Sequence, residues 1–164
     1  MCKLQIIRHG DVSIQDILDI IDIKSLAWPY DADSQFRWII KNLQENDMHF
    51  ILRKEDSAEI VAYLNLVEVE AVFEDGHTLC YGVGNVCSRV RGIGLGRSIM
   101  ESVNRFLTDS HEIGILLCKD ALVPFYRKMG WSSIPNSIES LKGINVLTYR
   151  QPTISSLLSL GRIF

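Results

Sequence analysis

The amino-acid sequence predicts an α/β (α+β) domain built as a mixed sheet covered by helices on both faces. Three observations predict it. Strand-like apolar runs and stretches of helical period follow one another in the order β-α-α-β-β-β-α-β-α-β. The three strands in the middle are joined by the charged turns Lys54-Glu55-Asp56-Ser57 and Glu74-Asp75-Gly76, as in a meander. The 164 residues are 47% apolar and 23% charged, which suits one substantial core. Neither repeats nor a linker interrupt the chain, so residues 1–164 are read as a single domain.

Each element has its own signal. Lys3 to Arg8 reads as the first strand. Ser13 caps a helix carrying Ile14, Ile17, Leu18 and Ile21, with Asp16 placed for a capping box. Pro29 lies in the connection to a second helix near Ser34 to Leu43. Phe50 to Arg53 and Ile60 to Val72 are strands, and Leu79 to Cys87 is another. The Gly82 and Gly84 of that last run suggest a bulge, or a backbone left open for a ligand. Leu95, Ile99, Met100, Val103, Phe106 and Leu107 recur at spacings of three and four, the stripe of an amphipathic helix. Ile113 to Cys118 is a short buried strand, Ala121 to Met129 a helix capped by Asp120, and Asn145 to Arg150 a final strand. The tail beyond carries Ile154, Leu157, Leu158, Leu160, Ile163 and Phe164, too apolar to hang loose; it docks on its own domain or on a second copy of the chain.

The stretch Arg91-Gly92-Ile93-Gly94-Leu95-Gly96-Arg97-Ser98 stands between a strand and a helix, the context of a phosphate cradle. Glycine lets the backbone approach a ligand, a helix start offers unpaired N–H groups, and arginine adds a charged fork that fits phosphate oxygens. Spacing eliminates two nucleotide-binding patterns. The P-loop needs four residues between glycines and then a lysine, whereas Gly92 and Gly96 are separated by three and followed by Arg97. The dinucleotide fingerprint needs Gly-x-Gly-x-x-Gly after a first strand, whereas Gly92, Gly94 and Gly96 are evenly spaced and lie past mid-chain.

Arg91-x-x-Gly94-x-Gly96 resembles the pyrophosphate loop of the GNAT superfamily of acetyl-CoA-dependent N-acetyltransferases, Gln/Arg-x-x-Gly-x-Gly/Ala. About thirty residues on, Phe125-Tyr126-Arg127-Lys128-Met129-Gly130-Trp131 resembles that superfamily's Leu/Phe-Tyr-x-x-x-Gly-Phe/Trp element. The run Cys118 to Tyr126 is similar to arylalkylamine acetyltransferases and, less closely, to aminoglycoside 2'-acetyltransferases. The resemblance covers residues 79 to 131. It implies a mixed, mostly antiparallel sheet with splayed central strands, acetyl-CoA as donor, CoA as product, and an amine as acceptor.

The same resemblance assigns Gly84, Asn85 and Val86 to the pantetheine arm, and Arg91, Gly92, Ile93, Gly94, Leu95, Gly96, Arg97 and Ser98 to the pyrophosphate. Phe125 joins the cofactor site, and Tyr126 becomes the proton donor to the departing thiolate. Main-chain N–H groups near Asn85 and Val86 would stabilise the oxyanion. Glu68 and Glu70 share one face of a strand and supply the candidate base, through water. Three positions depart from the pattern. The paired histidines of arylalkylamine enzymes align with Cys80 and Gly82, so that relay does not carry over. His77 is nearby but sits at a turn, and Lys119 stands where many relatives place an asparagine. Cys118 near the acyl position raises an acyl-cysteine intermediate, although a small buried cysteine is the commoner case. The rival reading is a non-catalytic acyl-CoA-binding or sensor module.

Charge is distributed unevenly. Residues 1–75 carry 15 acids and 7 bases, residues 76–164 carry 5 acids and 10 bases, and no acid lies between Gly76 and Met100. The basic half suits an anionic cofactor, and the acidic half either receives a cationic amine or is merely solvated. Trp28, Tyr30, Asp31 and Asp33 are the candidate acceptor wall, for a small amine or a protein amine. No basic run is interleaved with aromatics, which disfavours nucleic acid. The four cysteines and four histidines lack ligand spacing, so no metal is expected. No signal peptide is read at Met1 to Arg8, and no apolar run approaches the roughly 20 residues of a membrane helix, so the expected location is the cytoplasm.

Overall fold

The computed structural model describes residues 1–164. Its elements are β1 (Cys2–Arg8), α1 (Ile14–Ala27), α2 (Ala32–Asn42), β2 (Met48–Lys54), β3 (Ile60–Phe73), β4 (Gly76–Ser88), α3 (Leu95–Asp109), β5 (Gly114–Cys118), α4 (Val123–Arg127), β6 (Ser132–Ile134), β7 (Asn145–Tyr149) and β8 (Leu157–Leu160). The strand order is β1-β2-β3-β4-β5-β7-β6, with β8 also paired to β3. The β1–β2, β2–β3, β3–β8, β5–β7 and β6–β7 ladders are antiparallel, and β4–β5 is parallel. By contact the chain forms two compact units that share the long strands β3 and β4. The first holds residues 1–67, 84–102 and 164, the second residues 68–83 and 103–163.

In the first unit α1 begins as its sequence dictates. Ser13 accepts from Asp16 N–H at 3.1 Å, and the Asp16 carboxylate accepts from Ser13 N–H at 3.3 Å, which completes the capping box. Ile17, Ile20, Ile21 and Ile23 of α1 join Ile39 and Leu43 at α2, and these meet Ile51, Tyr63, Val67 and Cys87 from the strands. Each such burial stabilises by about 1.5–3 kcal/mol. Strand alternation therefore puts Tyr63, Asn65 and Val67 on the face that carries α1 and α2, and Leu64, Leu66, Glu68 and Glu70 on the other.

In the second unit the β4–β5 ladder joins Tyr81, Gly82 and Val83 to Gly114, Ile115 and Leu116. Trp131 is buried over Gly114, where a Cβ would lie 2.6 Å from its ring and 2.7 Å from Leu107. Asn104 fixes that indole: its Oδ1 accepts from Trp131 Nε1 and its Nδ2 donates to Met129 C=O, both at 2.9 Å.

Two expectations change, and an open alternative is decided. The helix expected over Ala121–Met129 is a 3-10 turn, Asp120–Leu122, followed by the five-residue α4 with Pro124 in its first turn. Asp120 does not cap it; its carboxylate instead accepts from Asn145 Nδ2 at 2.6 Å. The apolar tail docks on its own chain as β8, with Leu157, Ser159 and Leu160 opposite Phe73, Val72 and Ala71. The short β6 had no periodicity to announce it.

Candidate active site

The glycine loop of the first unit has the backbone that its sequence requires. Gly92 and Gly94 take φ of +82° and +86°, where L side chains are strained, and nothing lies within 4 Å of the position a Cβ would occupy at either. Ser98 N–H donates to Gly94 C=O at 2.9 Å, the first bond of α3. The N–H groups of Leu95, Gly96 and Arg97 precede it, so they are the orphan donors of a helix start. Arg91, Gly92, Ile93 and Gly94 are exposed. Arg97 is exposed as well and pairs with Glu101 at 2.7 Å, one turn along. Arg89 differs from its neighbours in the acid-free stretch. It is tied to Asp22 at 2.5 Å, to Glu59 at 3.2 Å and to Ile60 C=O at 3.0 Å, so it fastens the strands.

Next to Gly84 stands Asn85, a non-glycine residue with φ of +54°. Its side-chain Nδ2 donates to Asn65 Oδ1. Asn65 is fully buried, and its own Nδ2 has no partner. Directly across the β2–β3 ladder from Asn65 is His49, also fully buried. His49 Nδ1 lies 2.8 Å from Tyr63 Oη and its Nε2 lies 2.9 Å from His9 Nδ1. Burial pushes the Tyr63 phenol well up and the His49 imidazole down to about 4. The phenol therefore keeps its proton, and the two ring nitrogens of neutral His49 are taken up by Tyr63 and His9. Burial also holds His9 below its ordinary value, with Asp47 opposing. A neutral hydrogen-bonded chain thus runs from half-buried His9 to the core.

The acids of this half are largely committed. Asp16 and Asp19 bind Arg53 at 2.6 and 2.9 Å, and Asp33 pairs with Arg37 at 2.9 Å. Asp31 caps α2 by accepting from Ser34 N–H at 2.8 Å. Of the candidate acceptor wall, Trp28 packs on the apolar cluster and Tyr30 is exposed. Lys24 has no such partner carboxylate: it is buried, and its Nζ lies 4.2 Å above the Trp38 ring.

In the second unit Tyr126 is buried on α4, with the Phe125 ring edge-on at 5.0 Å. Burial, and then Cys118, push its phenol far above the ordinary value, so it carries its proton at neutral pH. The Cys118 thiol is also raised by burial, the opposite of what a nucleophilic thiolate needs. Next to Lys119, Asn145 on β7 supplies a side-chain amide, donating to Asp120 at 2.6 Å and to Cys118 C=O at 3.4 Å. Glu68 and Glu70 are exposed on the β3 face opposite to that of Asn65. His77 is exposed near the start of β4.

Sequence reasoning passed over His9, His49, Tyr63, Asn65 and Lys24. Asn65 had a signal, a lone amide inside Ala62-Tyr63-Leu64-Asn65-Leu66-Val67. His9 and His49 had none, because only strand register brings together residues 40 apart.

No family model and no curated protein matches the sequence. Solved structures do match. Escherichia coli ElaA superposes with a TM-score of 0.70 at 18% identity, over 91% of this chain and 99% of that one. An acyl-CoA N-acyltransferase from Pseudomonas aeruginosa gives 0.69 at 16%, again over 91% and 99%. The GNAT family N-acetyltransferase YhbS from Escherichia coli, solved in complex with CoA, gives 0.66 at 11%, over 95% and 88%.

Proposed function

We propose that this chain, which has the fold of the GNAT N-acetyltransferases, transfers an acetyl group from acetyl-CoA to a primary amine. The observation that carries the reading is the cradle. Two left-handed glycines in open space lead into α3, whose first N–H groups are orphan donors beside Arg91 and Arg97, a fit for a diphosphate. Acetyl-CoA would supply the diphosphate that such a loop grips and the thioester that activates the acyl carbon.

The chain's residues then have distinct tasks. Arg91 to Ser98 bind the pyrophosphate, Gly84, Asn85 and Val86 receive the pantetheine arm, and Phe125 is a further cofactor contact. The main-chain N–H groups of Asn85 and Val86 hold the oxygen that gains charge as the amine nitrogen bonds to the acyl carbon. The carbon–sulfur bond breaks, and Tyr126 gives its proton to the sulfur; its raised proton affinity keeps it in the acid form until then. The surplus amine proton passes to Glu68 or Glu70 through water.

Release of free thiol from acetyl-CoA over a panel of amines tests the reading. Tyr126→Phe should lower kcat by about 10²-fold or more with little change in CoA affinity. Binding of CoA without turnover on any amine would leave the non-catalytic acyl-CoA-binding or sensor module in its place.

A further inference from the structure

The glycine that precedes the left-handed Asn85 is covered by the chain itself. A Cβ on Gly84 would lie 2.4 Å from the carbonyl carbon of Phe164, 2.9 Å from its carbonyl oxygen and 3.1 Å from Asn65 Nδ2. Phe164 is half-buried and packs against the apolar cluster alongside Ile7, Val12, Trp28 and Trp38. One residue therefore lies against the strand assigned to the pantetheine arm and packs on the same apolar cluster as Trp28 of the wall assigned to the acceptor.

Two further observations say what the place is shaped for. Asn65 Nδ2 is a buried donor without a partner, and its amide is held in orientation because Oδ1 already accepts from Asn85. Such a donor is costly to leave unmet and fits an acceptor atom brought by a ligand. The charge on the same face is positive: Lys24 is buried against Trp38, while Asp16, Asp19, Asp31 and Asp33 are taken up by arginines or a helix cap. A polycationic amine would meet a like charge there and few free carboxylates, whereas an apolar ring meets tryptophan and isoleucine.

We propose that Phe164 occupies the acceptor pocket as a stand-in for the acceptor's own side group. The acceptor is then an amine bearing an aromatic or bulky apolar group and a carbonyl, received by the apolar cluster and by Asn65 Nδ2, and Phe164 withdraws as it binds. The proposal rests on the acyl-transfer reading and sharpens its substrate class.

The test compares phenylalanine amide, 2-phenylethylamine and spermidine as acceptors for the wild type, Phe164→Ala and Asn65→Leu. Phe164→Ala should lower KM for both aromatic amines by about tenfold, the gain expected when a seat some nine-tenths self-occupied is vacated. Asn65→Leu should raise KM for phenylalanine amide and leave that of 2-phenylethylamine, which has no carbonyl, nearly unchanged. An unchanged or higher KM in Phe164→Ala, or spermidine as the best acceptor, overturns the proposal. If no amine releases thiol, acyl transfer itself fails, and the pocket is read separately by tryptophan fluorescence as phenylalanine amide is titrated into Phe164→Ala. Saturable quenching absent from the wild type upholds the pocket, and no change overturns it.

Discussion

Lys24→Met should stabilise the protein at neutral pH. Lys24 is 2% exposed, has Trp38 beneath its ammonium, and burial lowers its pKa from 10.5 to about 8. A shift of that size, at about 1.4 kcal/mol per unit, means that holding the charge in the core costs about 3 kcal/mol at pH 7. Methionine fills similar space and keeps a sulfur–ring contact, while the cation–π attraction lost is about 1–2 kcal/mol. The net gain should be about 1–2 kcal/mol, or about 2–8 °C in Tm for a chain of this length. The sign follows from proton binding. Below pH 8 both folded and unfolded wild type carry the proton and the full cost applies. Between about 8 and 10.5 the folded state releases its proton first, so the wild type recovers stability as pH rises. Urea unfolding of both proteins at pH 7, 9 and 10 reads the difference directly. A variant less stable at pH 7, or an advantage that does not shrink by pH 10, would refute the account of a solitary buried cation.

Other predictions concern the buried polar groups and the glycine loop. His49, neutral in the fold with a pKa of about 4 against 6.5 when unfolded, should cost the wild type about 3 kcal/mol of stability as pH falls from 6.5 through 4. Urea titrations of His49→Phe should lack that component; an equal acid loss in both proteins would remove His49 as its source. Gly94→Ala forces a side chain into φ of +86° and should weaken CoA binding at least tenfold by calorimetry, with the melting temperature of the ligand-free protein within a few degrees of wild type. Asn104→Ala leaves the Trp131 indole N–H without its partner and should cost about 1–3 kcal/mol in urea unfolding.

The fold was legible wherever local chemistry decides structure. The capping box at Ser13 and Asp16, the stripe from Leu95 to Leu107, and the left-handed glycines of the loop are all consequences of neighbouring residues. Asp120 misled because an aspartate before a helix has two outlets, and Asn145 from another strand claimed it. The acidic half left two readings open. Its carboxylates could receive an amine or simply be solvated, and sequence could not show that Arg53 of β2 and Arg89, just past β4, pair with Asp16, Asp19 and Asp22. The glycine loop before α3 was readable from spacing, whereas the His9–His49–Tyr63 chain depends on a register that no window of sequence contains.

The ladder between β2 and β3 ends at Leu66, and β8 takes over on β3 from Ala71 to Phe73. Without that late strand, the far half of a 14-residue ribbon would present bare main-chain donors and acceptors, a template for a neighbouring molecule. β8 thus covers an edge that would otherwise invite edge-to-edge association, and lesions that loosen it should first show as lost solubility.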